Sequence, residues 1–128
     1  VDEILLNEAE YRMRLYLGPN ARALRRLFVE MACEEHPVIR SAYEHTYLKP
    51  IARIRSRLWE FKTAGALPAG TSVTRLLDAI EGSVLMRAFC LPPDDIECFL
   101  SEIPEYVENL VGDQLHGPGL ERTLRSVS

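Results

Sequence analysis

The sequence predicts an all-α fold, an antiparallel bundle of about five helices. Three observations carry that prediction. Apolar residues recur at three- and four-residue steps along most of the chain, the spacing that lines up one face of a helix. Gly and Pro cluster between those stretches, where helices start and stop. Sustained two-residue alternation and the Asn-Gly or Asp-Gly turns of hairpins are missing. The chain has 128 residues, one domain's length and enough to bury a core without staples. Its 47% apolar and 27% charged residues are those of a folded chain, not a disordered one.

The first helix is expected from about Asp2 to Leu17, with Leu5, Leu6, Ala9, Met13 and Tyr16 on one stripe; Gly18-Pro19-Asn20 ends it. Asn20 can cap a second, running to about Glu35, whose apolar face is Leu24, Leu27, Phe28, Met31 and Ala32. His36-Pro37 breaks it, because Pro lacks an amide donor and restricts the residue before it. The third and longest is expected from about Val38 to Thr63, carrying Ile39, Tyr43, Tyr47, Ile51, Ile54, Leu58 and Phe61, with a kink at Pro50. Gly65 and Pro68 close it. A fourth, from about Ser72 to Cys90, holds Val73, Leu76, Leu77, Ile80, Val84 and Ala88, and Leu91-Pro92-Pro93 stops it. The fifth runs from about Pro93 or Asp94 to Leu115. Asp94 and Asp95 suit its positive end, Ile96, Phe99, Leu100, Ile103, Val107, Leu110 and Val111 form its apolar side, and Pro104 is a candidate bend. Residues 1–115 thus read as a single domain, and 116–128 as a loose or partly helical tail.

Charge and cysteine usage narrow the function. The net charge is −4, and only Lys49 and Lys62 among the 15 basic residues are Lys. An acidic balance argues against this chain gripping a phosphate backbone by itself. Two local basic groups, Arg22, Arg25 and Arg26, and Arg53, Arg55 and Arg57, read as solvated helix faces or, alternatively, as contacts to DNA or a neighbouring DNA-binding domain. Cys33, Cys90 and Cys98 are an odd set without CxxC spacing, the pattern of free thiols in a cytoplasmic protein. No apolar run is long enough for a membrane span, and Val-Asp-Glu-Ile is not a signal-peptide start. A chain beginning at Val1 reads as a piece of a longer protein.

Catalytic chemistry finds little support. His36, His45 and His116 are scattered, and Glu35-His36 and Glu44-His45 are neighbours pointing about 100° apart on a helix, not the Glu and His three apart that a bundle metal site uses. The three Cys sit among apolar helical residues, where thiols are usually small buried hydrophobes. Neither a Gly-x-Ser-x-Gly elbow nor a phosphate loop occurs. No enzyme, metal or cofactor is expected. What remains is a set of bulky residues, Met13, Tyr16, Phe28, Met31, Tyr43, His45, Tyr47, Trp59, Met86 and Phe89, which suits an apolar pocket with a few polar handles and equally suits plain core packing. Gly82, with Ala79 and Ser83, forms a strip of small residues in mid-helix where another helix can approach closely.

These stretches, in this order, resemble the C-terminal domain of TetR-family transcriptional repressors. HPVIRSAYEHTYLKPIARIRSRLWEFKTAGALPAG resembles that family's long central helix, with a Pro-initiated start, an aromatic-plus-Pro middle and an exit at Phe61-Lys62-Thr63-Ala64-Gly65-Ala66-Leu67. SVTRLLDAIEGSVLMRAFCLPP resembles its Leu-Leu-x-x-x-x-Gly-x-x-x-x-Arg stretch through Leu76, Leu77, Gly82 and Arg87, and DDIECFLSEIPEYVENLVGDQL its closing helix through Leu110, Val111 and Leu115. The likeness spans about residues 2–115. It omits the helix-turn-helix with which family members begin, so operator DNA is implied only through a separate N-terminal domain.

The resemblance implies a homodimer built on the last two helices, with Leu76, Ile80, Gly82, Ser83, Arg87, Ile96, Phe99, Ile103, Tyr106 and Leu110 at the two-fold interface. It also implies an effector pocket among the first four helices, lined by Met13, Tyr16, Phe28, Met31, Tyr43, Tyr47, Trp59, Leu85, Met86 and Phe89. The effector would be small and hydrophobic or aromatic, and its binding would respace two DNA-binding heads. Two other readings stay open: a helical interaction module without a pocket, and a small bundle enzyme or metalloprotein.

Overall fold

The computed structural model describes residues 1–33 and 36–117, and every regular element among them is a helix. Helix α1 spans Asp2–Leu17, α2 Ala21–Cys33, α3 Pro37–Tyr43, α4 Lys49–Thr63, α5 Val73–Cys90 and α6 Ile96–His116. A π-helical turn, Glu44–Leu48, joins α3 to α4 without a break, so the two form one long rod, and a 3-10 turn, Pro93–Asp95, leads into α6. Glu34 and Glu35, the expected end of the second helix, and 118–128 of the expected tail lie outside the described residues. His116 is the last residue of α6 and its imidazole contacts Asp2 at 3.1 Å.

Local chemistry explains the ends. The His36 ring accepts the Val38 amide at 3.2 Å to cap α3, with Pro37 in the first turn where its missing donor costs nothing. Ser72 Oγ caps α5 by accepting the Arg75 amide at 3.2 Å. At the end of α4, Gly65 takes φ 82°, and two bonds, Gly65 N–H to Lys62 O and Ala66 N–H to Phe61 O, satisfy carbonyls that the helix leaves open. Pro104 is absorbed within α6, which runs through it.

Helix α1 is the centre of the bundle and packs chiefly against α6 and α5, while α2 lies on α3 and α4 on α5. The core joins Leu5, Ala9, Met13 and Tyr16 of α1 to Leu77, Ile80, Val84 and Ala88 of α5 and to Ile103, Val107 and Val111 of α6, with Leu58 entering from α4. Burying such side chains is worth roughly 1.5–3 kcal/mol each.

Two glycines should behave oppositely. A side chain at Gly65 would be forced into left-handed backbone. One at Gly82 would meet nothing within 4 Å. We expect Gly65→Ala to lower, and Gly82→Ala to raise, the unfolding free energy by about 1 kcal/mol each, as read by urea denaturation.

Candidate functional site

Arg12 falls on the inner stripe of α1, in phase with Leu5, Ala9 and Tyr16, and only 1% of it is exposed. What accommodates a guanidinium there is Pro50. Proline has no amide hydrogen, so the Thr46 carbonyl, four residues earlier, loses its helical donor. Just upstream, the Lys49 amide reaches back five residues to Glu44 O in the π turn. Arg12 Nη1 donates to Thr46 O at 3.0 Å, and Nε donates to Glu8 Oε1 at 2.7 Å. The guanidinium also lies over the Tyr47 ring at 5.4 Å and near Tyr11 at 5.7 Å. Burial pulls the Arg12 pKa down, but the bond and charge of Glu8 more than offset it, so the group stays charged.

Arg12 Nη2 is buried without an acceptor, and neither Glu81 oxygen receives a hydrogen bond, though the protonated carboxyl lies where it can donate to Glu8. Glu81, 5% exposed, lies in phase with Leu77, Val84 and Ala88 on the inner stripe of α5. Burial pushes its carboxyl up from the ordinary 4.5 to about 8, with repulsion from Glu8 adding to the shift and attraction to Arg12 opposing it. The Tyr47 phenol is likewise pushed up to about 12 by burial and then by Glu81, and that of Tyr16 is raised further still by burial. Arg12 from α1, Tyr47 from the π turn and Glu81 from α5 are therefore electrostatically linked, with the Glu8 carboxyl beside them.

Beside Arg12 a cleft of about 560 Å³ opens between α1, α2, α3 and the π turn. Its walls include Leu15, Leu24 and Leu27, and its polar groups Glu8, Arg12 and His45. That size and mixture are those of a small-molecule site. A second cleft, about 670 Å³ between α1 and α6, is edged by Asp2, Glu10, Glu108 and His116, and none of its lining residues holds a buried unpaired polar atom.

No family model, curated protein or solved structure matches this chain.

Five of the ten expected pocket residues come together as an aromatic cluster. Phe28 is at its centre, 5.5–6.1 Å from Tyr47, Tyr43, Tyr16 and Phe89 in edge-on contacts, while Tyr43 and Tyr47 stack at 5.5 Å. Arg25 ties α2 to the same region by donating to Ala88 O at 2.9 Å and lying over Phe89. Met13 is fully buried in the core, and Met31 and Leu85 are half-buried. Trp59 and Met86 stand apart, 49% and 60% exposed: Trp59 is one residue out of phase with buried Leu58, and Met86 sits on the outer stripe of α5. None of the ten lines the cleft beside Arg12.

Of the ten residues expected at a dimer interface, Leu76, Ile80, Phe99 and Ile103 are buried within the single chain, on the sides of α5 and α6 that face its own core. They have little surface left for a partner. Gly82 and Arg87 are exposed, and Ser83, Ile96, Tyr106 and Leu110 are half-buried. On this outer face Tyr106 Oη donates to Ser83 O at 3.4 Å, Arg87 lies over the Tyr106 ring and Phe99 packs edge-on against it. The three cysteines correct an expectation: Cys33, Cys90 and Cys98 are exposed free thiols, because helical phase turns them outward despite apolar neighbours in sequence. Among the described residues no three His, Cys, Asp or Glu gather as a metal site, and no helix is long and apolar enough to cross a membrane.

Sequence reasoning missed Arg12, Glu8 and Glu81. The signal was there: Leu5-Ala9-Arg12-Tyr16 and Leu77-Glu81-Val84-Ala88 each put a charge into an apolar stripe. Because folded Glu81 holds its proton up to about pH 8 and the unfolded carboxyl releases it near 4.5, stability is complete below the lower value. The Glu81 contribution falls as pH rises towards the upper one. We expect the urea midpoint to drop between pH 5 and 8, and Glu81→Gln to remove most of that slope.

Proposed function

We propose that this chain is a homodimerising, ligand-sensing domain of the kind TetR-type transcriptional regulators carry, joined in the intact protein to an N-terminal helix-turn-helix. The observation that carries the reading is Arg12: a charged side chain, 1% exposed, on the wall of a cleft of about 560 Å³, with one nitrogen unpartnered. Thr46 O and Glu8 account for Nη1 and Nε, but the packing of the bundle gives no use for Nη2. A small, largely apolar effector fits the Leu15, Leu24 and Leu27 walls. Its binding would bear on Thr46 and Pro50, and through the long α3–α4 rod on whatever precedes or follows the bundle.

The second half of the reading is self-association through the outer face of α5 and α6. Gly82 leaves open space, Met86 is an exposed apolar residue next to it, and Tyr106 offers a half-buried ring. Arg87, Asp95 and Glu102 edge a groove beside Tyr106. A face carrying both charges can complement itself across a two-fold axis. The occupant is therefore a second copy of this chain.

Sedimentation tests the dimer. The unaltered chain should sediment as a dimer at micromolar concentration, and Gly82→Leu as a monomer of unchanged helicity, since the leucine enters open space in the single chain. A monomeric unaltered chain would remove the dimer. A dimer that gains no thermal stability with any small apolar compound would favour the interaction module without a pocket.

A further inference from the structure

We infer that the cleft beside Arg12 takes an amphipathic organic anion, its apolar body against Leu15, Leu24 and Leu27 and its carboxylate on Nη2 of Arg12. This rests on the ligand-sensing reading above and names the chemical class of the ligand.

The donor inventory comes first. Of the three nitrogens of Arg12, Nε serves Glu8 and Nη1 serves Thr46 O, while Nη2 is buried without an acceptor. A guanidinium suits carboxylate oxygens by shape and charge, and such charge-assisted bonds are about twice as strong as neutral ones. The charge around the cleft agrees. His45, on its wall, holds its Nδ1 at 2.8 Å from Ser41 O, and its Nε2 lies 3.4 Å from the ammonium of Lys49. With Nδ1–H donated to that carbonyl, Nε2 is the acceptor for Lys49. Lys49 therefore places a second cation next to His45, outside the lining itself. Glu8, the one acidic residue lining the cleft, is already engaged by Arg12. A cationic ligand would meet Arg12 and Lys49 with a single, already paired carboxylate in its favour.

The walls select the rest of the molecule. Leu15 comes from α1 and Ala23, Leu24 and Leu27 from α2, opposite Ala42 and Pro50. That lining offers contact area and few hydrogen bonds, so it fits a medium-length alkyl chain or a single aromatic ring. Because Nη2 is closed over, the carboxylate reaches it as the guanidinium tilts towards the cleft with Nη1 still on Thr46 O. Occupancy is thereby coupled to the contact between α1 and the π turn.

The test compares ligands, so that it does not depend on a variant folding. Octanoate with octanamide, and 3-phenylpropionate with 3-phenylpropionamide, are titrated into the unaltered chain by calorimetry. At least one acid should bind tenfold or more tighter than its amide and weaken as salt is raised. Arg12→Lys should lose the preference for the acid, and Leu27→Trp, which fills the cleft, should lose both ligands. Equal affinity of acid and amide would overturn the anion and leave the sensing reading standing. Silence from all four probes, or binding unaffected by Leu27→Trp, would overturn both at this cleft.

Discussion

The contact on which this bundle turns is the one between Arg12 and the Thr46 carbonyl. Pro50 takes away that carbonyl's helical donor, and a buried guanidinium from the neighbouring helix replaces it at 3.0 Å. An unpaired carbonyl and an unpaired arginine would each cost several kcal/mol inside a bundle, so each depends on the other being present. Glu8 then neutralises the charge from one turn away. Local backbone chemistry in the long rod thus dictates a polar residue at the centre of α1, where the stripe would otherwise be apolar throughout.

That requirement divides the molecule. One part of the core is closed: Met13, Ile80, Val84 and Ile103 are fully buried and leave no polar atom to satisfy. In the other, Arg12 of α1, Glu81 of α5 and the tyrosines make an interior that is only partly satisfied and sensitive to protonation. The first part holds the bundle together, while the second is where protonation acts. Buried polar clusters of this kind act strongly when complete and are the first part of a core to respond when they are not.

Much of the architecture was legible in the sequence. Asp2–Leu17 emerges with the bounds that its apolar steps and Gly18-Pro19 indicate. The rings of Tyr16, Phe28, Tyr43, Tyr47 and Phe89 do meet. Legibility fails where a residue's kind and its helical phase disagree. Trp59, Met86 and the cysteines are apolar types turned outward, and Arg12 and Glu81 are charged types turned inward. Phase, read to half a face, decides such cases only when the neighbouring helix is known. The partner of Arg12 is a main-chain oxygen exposed by a proline 38 residues away along the chain, a relation no local pattern contains.

The π turn at Glu44–Leu48 carries one residue more than an α-helix would need over the same rise. Each residue advances a helix by about 100°, so everything before the turn is swivelled relative to everything after it. The long rod is therefore two registers welded end to end: Tyr43 meets Phe28 of α2, while Leu58 enters the core. Excising one residue from that weld would restore a uniform spiral and point one half of the rod the wrong way. The length of this five-residue stretch is as much a part of the design as its composition.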